Sequence, residues 1–539
     1  MSGSITLENR FGVNKMELIS LKYAIFVIVL LVLYYCFPKK YRWYVLLAGS
    51  MAYYVIICKW YVLFIIFTIC TTYGSTIWID KLLKKQNAIV KSHKEDWDRQ
   101  TRKEYKEKGR KKRVAVMFFA LLCNFGILAF LKYIPYAGEL GLLLPLGISF
   151  YTFQSMGYVM DVYREIVEPE KNFLKVALFV SFFPQIIQGP IAIYDKLAGQ
   201  LYEGHSLRLE NLQKGALLVL WGVMKKLVIA DRAVNIINFV MDKPMDFSGT
   251  YVFFAAVVYA LQLYADFSGG IDIVRGIAEM FGITMSTNFN HPYFSRSLTE
   301  YWHRWHMTLG DWCRNYIFYP LSISKRFLNF GKWLKPRFGA HISKVLPGCI
   351  ASVITFIVIG VWHGANMKYL YFGLWNGIVI MLAELFAPVN KKVAGGFFKL
   401  TGLREKGIFA TIVSVLWTFM LILVGYYFDI AANASTAFHM LFKSVTDFHI
   451  SELGINNIIL NLGACGLDEY DILLLIICTL LWFFISFVEE NKKLDMRDFI
   501  LSRKLPLRWA IIYLGIFIVI IFGYYGPGVN PADFVYMQF

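Results

Sequence analysis

Apolar runs of bilayer length recur along nearly the whole chain, and no other feature limits its fold as much. Their cores fall at 17–37, 41–58, 60–79, 114–132, 141–160, 173–193, 250–268, 346–362, 368–386, 409–428, 471–488 and 508–524. A helix needs about 20 apolar residues to cross the hydrocarbon layer. Lipid offers backbone amides no water, so a crossing segment must satisfy its own hydrogen bonds. The runs lack the two-residue alternation of barrel strands, which leaves helices. With 57% apolar and only 17% charged residues and a mean hydropathy of +0.51, the composition is that of a membrane protein and not of a charged-surface globule. The expected fold is all-α: one polytopic membrane domain over 1–539 with roughly eleven or twelve transmembrane helices, plus short amphipathic and re-entrant helices.

The first run leads into Lys39 and Lys40 instead of a small-residue cleavage site, so it is expected to stay as an anchor. Cys36, Cys58, Cys70, Cys123, Cys349 and Cys478 lie in or beside apolar runs and read as small buried side chains, with no disulfide framework or metal-binding CxxC spacing. Charge sets the orientation. Segment 81–113 holds 14 Lys/Arg against 5 Asp/Glu, a net +9 that is half of the chain's +18. It reads as a basic cytoplasmic loop. The other basic loops, 38–42, 323–345, 388–406 and 492–508, fall on the same side if the spans alternate, and 431–471 falls outside with both termini. Within 194–249, residues 214–230 fit either a further span or an amphipathic segment at the interface. A basic inner face suits an acidic partner such as anionic lipid, coenzyme A or an acidic carrier protein, and no nucleic-acid partner is expected.

Between Asp266 and Lys325 the regular hydropathy gives way to short segments interrupted by Gly, Asn and Pro. Non-helical backbone at membrane depth is buried in protein or lines a wet cavity, so this region is the expected wall of a site. It contains TEYWHRWHMTLGDW, 299–312, in which Trp302, His303, Arg304, Trp305 and His306 are consecutive. On a helix His303 and His306 share a face. No carboxylate at helical spacing completes a metal site with them, and no metal is expected. His363, in VIGVWHGANMKYLY, ends an apolar run at the outer-leaflet side of a straight helix, with Gly364 free to break the chain. An imidazole there is suited to taking one proton from a hydroxyl near neutral pH. The other six histidines read as surface or structural groups.

Seven stretches, in this order, carry a resemblance: LPLGISFYTFQSMGYVMDVYR (144–164), SFFPQIIQGPI (181–191), WGVMKKLVIADR (221–232), YADFSGGIDIVRGIAEMFGI (264–283), NFNHPY (288–293), YWHRWHMTLGDWCRNYIFYPL (301–321) and GVWHGAN (360–366). Together they resemble the membrane-bound O-acyltransferase superfamily, in the bacterial branch of alginate O-acetylation, peptidoglycan O-acetylation and teichoic-acid D-alanylation proteins, densely over about 140–390. The resemblance implies a catalytic role for His363, a second functional role for His306, and helices tilted around a thin centre where a funnel meets a tunnel. The chain departs from the family's commonest pattern at His303, where arginine is frequent, and at LSIS, 321–324, where many relatives have a glycine-rich turn.

The expected function is therefore an O-acyltransferase of the bacterial plasma membrane. It would carry an acyl group, acetyl by preference, from a cytoplasmic acetyl-CoA or acyl-carrier protein toward a cell-envelope or exported polysaccharide, with an extracytoplasmic acyltransferase or esterase-like partner and no bound cofactor. His363 would be the general base and His306 its support, while Gln185, Gln188, Asn366, His303 and Arg304 are candidate substrate-binding groups. The aromatic tail 525–539, ending FVYMQF, resembles the acetylation relatives and offers Tyr536 as an acyl relay or as an interfacial anchor. The alternatives are D-alanyl transfer from a carrier protein toward teichoic acid, and a solute or polymer transporter.

Overall fold

The computed structural model describes residues 18–539 apart from 135–137, 139–140, 402–403, 405–406, 455–456, 458–462, 527–533 and 535–539, and apart from the side chains of 397–400 and 464. Regular structure among the described residues is helical throughout, and the chain is an all-α polytopic membrane protein. Each apolar core contains helix, although 141–147 and 189–193 are not helical, and fewer helices than cores have the length to cross. Seven among the described residues are long and apolar enough, or eight if Met367–Leu385 and Ala387–Gly396, bent by 67°, form one broken span. The shortfall against eleven or twelve has local causes. The cores 41–58 and 60–79 join in Lys39–Ser92, which breaks at Lys59 with φ 48. Leu21–Cys36 has 16 residues, about 24 Å at the helical rise, against the roughly 30 Å of a hydrocarbon layer. Phe173–Ser181 stops at Phe182, and the six-residue helix Phe183–Gln188 follows.

Two compact units are present, Met1–Val219 with Ile271–Ser286 and Leu220–Gly270 with Thr287–Phe539. In the first, the basic segment 81–113 is not a loop. Helices Val62–Ser92 and Arg99–Tyr133 run through it and pack together, leaving only 93–98 as the turn. Lys, Arg, Glu and Gln are good helix formers, so their charge does not end a helix. Asp98 caps the return, its carboxylate accepting from Thr101 N at 2.9 Å, and Arg113 Nη1 donates to Gln86 Oε1 at 2.8 Å across the pair. Helix Ile148–Tyr163 is buried from Ile148 to Val162. It is an interior element with little face to offer lipid.

The second unit holds the histidine-bearing segments. The basic stretch 323–345 is again helix, part of the 39-residue Lys325–His363, which kinks at Gly339 with φ 81. This helix packs closely along Met367–Leu385. A Cβ at Gly360 would collide with the Tyr369 carbonyl, and one at Gly373 with that of Phe356. Only glycine lets the two backbones approach so far, as in small-residue crossings of membrane helices generally. The crossing fixes the turn that follows His363. Residues 214–230, left open above, belong to helix Leu209–Met224 and the π-helical turn Lys225–Ala230, and neither is among the crossing helices.

Candidate active site

His363 is the last residue of Lys325–His363, and the chain breaks directly after it, with Gly364 extended at φ 174, ψ 171. The imidazole is 9% exposed. Its ring neighbours are Trp362 at 4.9 Å, Phe372 at 5.6 Å and Tyr369 at 6.0 Å between centroids. The break agrees with the expectation from the apolar run, whereas the helix leading to it is not straight but kinks at Gly339.

The expected shared face of His303 and His306 is not formed. Helix Leu298–Arg304 ends before Trp305, which is extended, and a second helix starts at Met307. His306 sits in the joint at φ 44, ψ 50, the left-handed region. A non-glycine residue there costs about 1–3 kcal/mol and persists only where its surroundings hold it. Asn288 supplies that hold. Its carbonyl accepts from Met307 N at 2.9 Å, and its side-chain Oδ1 accepts from Thr308 N at 3.1 Å and Thr308 Oγ1 at 2.9 Å. Because a backbone N–H can only donate, the Asn288 atom facing it is the oxygen. His306 Nδ1, 3.2 Å from that same oxygen, therefore carries the proton, and Nε2 is the lone-pair nitrogen. His306 is 2% exposed, with the Phe267 ring edge-on at 4.9 Å. It lies outside the crossing helices. Burial, and next the approach of His363, push its imidazole down to about 3. It is neutral at physiological pH and presents an acceptor.

Both imidazoles line one small cavity of about 20 Å³ with Tyr301, Trp302, Trp305, Asn376, Tyr426 and Asp429. That space suits a water or the reacting atoms of a substrate, not a whole one. The polar walls are ordered by their own bonds. Tyr293 OH donates to Ala260 O at 2.6 Å, so Tyr426 OH must donate to Tyr293 at 3.1 Å and Tyr301 OH to Tyr426 at 2.7 Å. Trp302 Nε1 donates to Asn376 Oδ1 at 3.0 Å, and Tyr259 OH to Asp429 Oδ2 at 2.7 Å. No sequence spacing marks Asn288, Tyr426 or Asp429. Asn288 comes to the site from the stretch before Pro292, and Tyr426 and Asp429 from helix Ile408–Ile430.

The remaining candidates lie elsewhere. His303 is exposed, and Arg304 is held by Glu300 at 2.7 Å and Glu490 at 3.0 Å. Asn366 caps Met367–Leu385, its Oδ1 accepting from Lys368 N at 3.1 Å. Gln185 and Gln188 are buried in the first unit, where Gln185 Nε2 donates to Gln154 Oε1. Tyr536 lies outside the described residues.

A buried ion cluster that sequence reading overlooked includes Asp266, the residue before Phe267. Lys226 Nζ meets Asp266 Oδ1 at 2.6 Å and Asp231 Oδ1 at 2.8 Å, with the three side chains at most 3% exposed. Lys225 Nζ donates to Ser268 Oγ at 2.8 Å. The π turn that carries both lysines also receives the chain's end: Tyr524 N donates to Leu227 O at 2.9 Å, and the Phe534 ring centroid is 4.5 Å from Lys226 Nζ.

Comparisons with known proteins agree with the motifs. Residues 169–335 match the family described as MBOAT, membrane-bound O-acyltransferase family. The chain is 30% identical over 315 residues to a protein of Pseudomonas syringae pv. tomato named "Probable alginate O-acetylase AlgI", covering 58% of this chain and 54% of that one. It is 30% identical to the "Peptidoglycan O-acetyltransferase" of Helicobacter pylori, over 51% of this chain and 56% of the other. With the "Teichoic acid D-alanyltransferase" of Bacillus subtilis it shares 26% identity, over 52% and 67%. The chain thus spans little more than half the length of the first two.

Proposed function

From a chain whose residues 169–335 match the membrane-bound O-acyltransferase family, we propose that it moves an acyl group, acetyl by preference, from a cytoplasmic thioester across the bacterial cell membrane toward a hydroxyl of a cell-envelope or exocellular polysaccharide. The observation that carries this reading is a small cavity lined by two buried histidines, one ending a crossing helix and the other strained into a break. His363 takes the proton of the acceptor hydroxyl as its oxygen attacks the thioester carbonyl. The new C–O bond forms, the C–S bond breaks, and the proton passes from the imidazolium to the departing thiolate. His306, neutral and bearing its proton on the Asn288 side, accepts a hydrogen bond from the acceptor or from the donor's arm. It therefore serves to orient, since in this tautomer its lone-pair nitrogen has no proton to give an oxyanion. The donor is coenzyme A or an acidic carrier protein, both suited to the basic helical hairpin around 81–113, and a separate extracytoplasmic transferase completes delivery.

The names of the relatives favour acetyl, while the Bacillus relative supports D-alanyl transfer as the second reading. A transporter would move its solute without any acyl donor. In vesicles with labelled acetyl thioester confined to the cytoplasmic face, label should reach a saccharide acceptor on the other face. Label that never leaves the donor's side contradicts the reading. Tyr536 is the proposed relay on the acceptor side. Mass spectrometry of the C-terminal peptide from active membranes should find an acyl adduct that disappears in Tyr536→Phe, and the absence of any adduct during rapid transfer would leave the tail as an anchor only.

A further inference from the structure

Asp429 is the carboxylate among the residues lining the histidine cavity. It lies one residue from the end of helix Ile408–Ile430 and is only partly exposed. Carboxylates are rare at membrane depth because desolvating their charge is expensive, and those retained have partners or a task. Asp429 has its partners. Tyr259 OH donates to Oδ2 at 2.7 Å. Lys368 Nζ donates at 2.7 and 2.8 Å to the main-chain carbonyls of Asp429 and Ala431, which brings an ammonium beside the carboxylate while closing the helix end. These contacts fix its place. They do not explain why a negative charge faces the void that the imidazoles share.

The base mechanism supplies a reason. When His363 takes the acceptor's proton, a cation appears in an enclosed, weakly screened space, where a nearby charge acts far more strongly than in water. The other groups facing His363 bring little relief. Tyr369 of Met367–Leu385 is a neutral phenol, and Lys368, a like charge, sits beside Asp429; the Leu298–Arg304 helix and the joint after it add Tyr301 and neutral His306, and Ile408–Ile430 adds Tyr426. We propose that Asp429 is a positioning residue for the proton transfer, whose fixed negative charge stabilises the imidazolium of His363. This rests on His363 being the base.

The test is the pH profile of acyl transfer by the purified full-length protein. Transfer by the wild type should fall toward acid as His363 becomes protonated, a limb that His306, held down to about 3, cannot produce near neutrality. In Asp429→Asn the amide oxygen still accepts from Tyr259 but the charge is gone. The imidazolium is then less favoured, and the neutral base survives to more acid conditions. The limb should move about one unit to lower pH, the size of effect that one opposite charge at close range produces, with a reduced plateau rate. Asp429→Glu should restore the limb. Lys368→Gln, which removes the opposing cation, should move it the other way and serves if the asparagine variant folds poorly. A limb unmoved in both Asp429→Asn and Lys368→Gln overturns the role of Asp429 while leaving the base assignment standing. A wild type with no acid limb, or full transfer by His363→Ala, removes the base assignment itself and this proposal with it.

Discussion

Replacing His363 by alanine is expected to lower acyl transfer by at least about a hundredfold, since loss of a general base typically costs 10²- to 10⁴-fold. The loss should appear in kcat, with KM for the thioester little changed, because the imidazole contributes to the transition state more than to donor binding. The fold should survive. His363 ends its helix, and the crossing beneath it is held by the backbone contacts at Gly360 and Gly373 and not by the ring. Circular dichroism and the thermal midpoint in detergent supply that control. The same substitution at His303, exposed on its helix, should leave transfer near the wild-type rate.

Asp266→Ala is expected to have the largest effect on stability. It leaves Lys226 buried with Asp231 as its remaining carboxylate partner and removes a charge-assisted hydrogen bond to the ammonium, which costs about 1.5–3 kcal/mol. Phe267 follows Asp266 directly and packs edge-on against His306 at 4.9 Å, so local unfolding would reach the cavity wall as well. A lower thermal midpoint and a poor yield of folded protein should be seen. Asp266→Asn, which keeps a hydrogen-bond acceptor for the ammonium, should be milder. An alanine variant as stable as the wild type would mean that the cluster contributes nothing to the fold.

Particular residues show why some of this could be read from the chain and some could not. Helical class and membrane placement follow from hydropathy, which is local. His363 stood out because an imidazole beside Gly364 at the end of an apolar run breaks a local pattern. Charge misled where its helix propensity went unweighed, in 81–113 and 323–345, because high charge forbids membrane burial but not helix. His306 was singled out by the family resemblance and by its spacing from His303, and the structure alters the second reason. Its spacing from His303 suggested a shared helical face, whereas its place depends on a left-handed backbone held by Asn288, 18 residues earlier. Asp429, Tyr426 and the pairing of Lys226 with Asp266 were invisible for one reason: their partners are 40 to 170 residues away, and nothing in a single sequence ties such positions together.

The central claim is that one buried imidazole connects a thioester on one side of the membrane with a hydroxyl on the other. Its most direct test compares wild type and His363→Ala, equally folded and inserted, in vesicles with labelled acyl thioester on the cytoplasmic face only and a hydroxyl acceptor on the opposite face only. The account predicts labelled acceptor with the wild type and at least about a hundredfold less with the variant. Equal labelling by both proteins, or labelling only when donor and acceptor share a side, would contradict it.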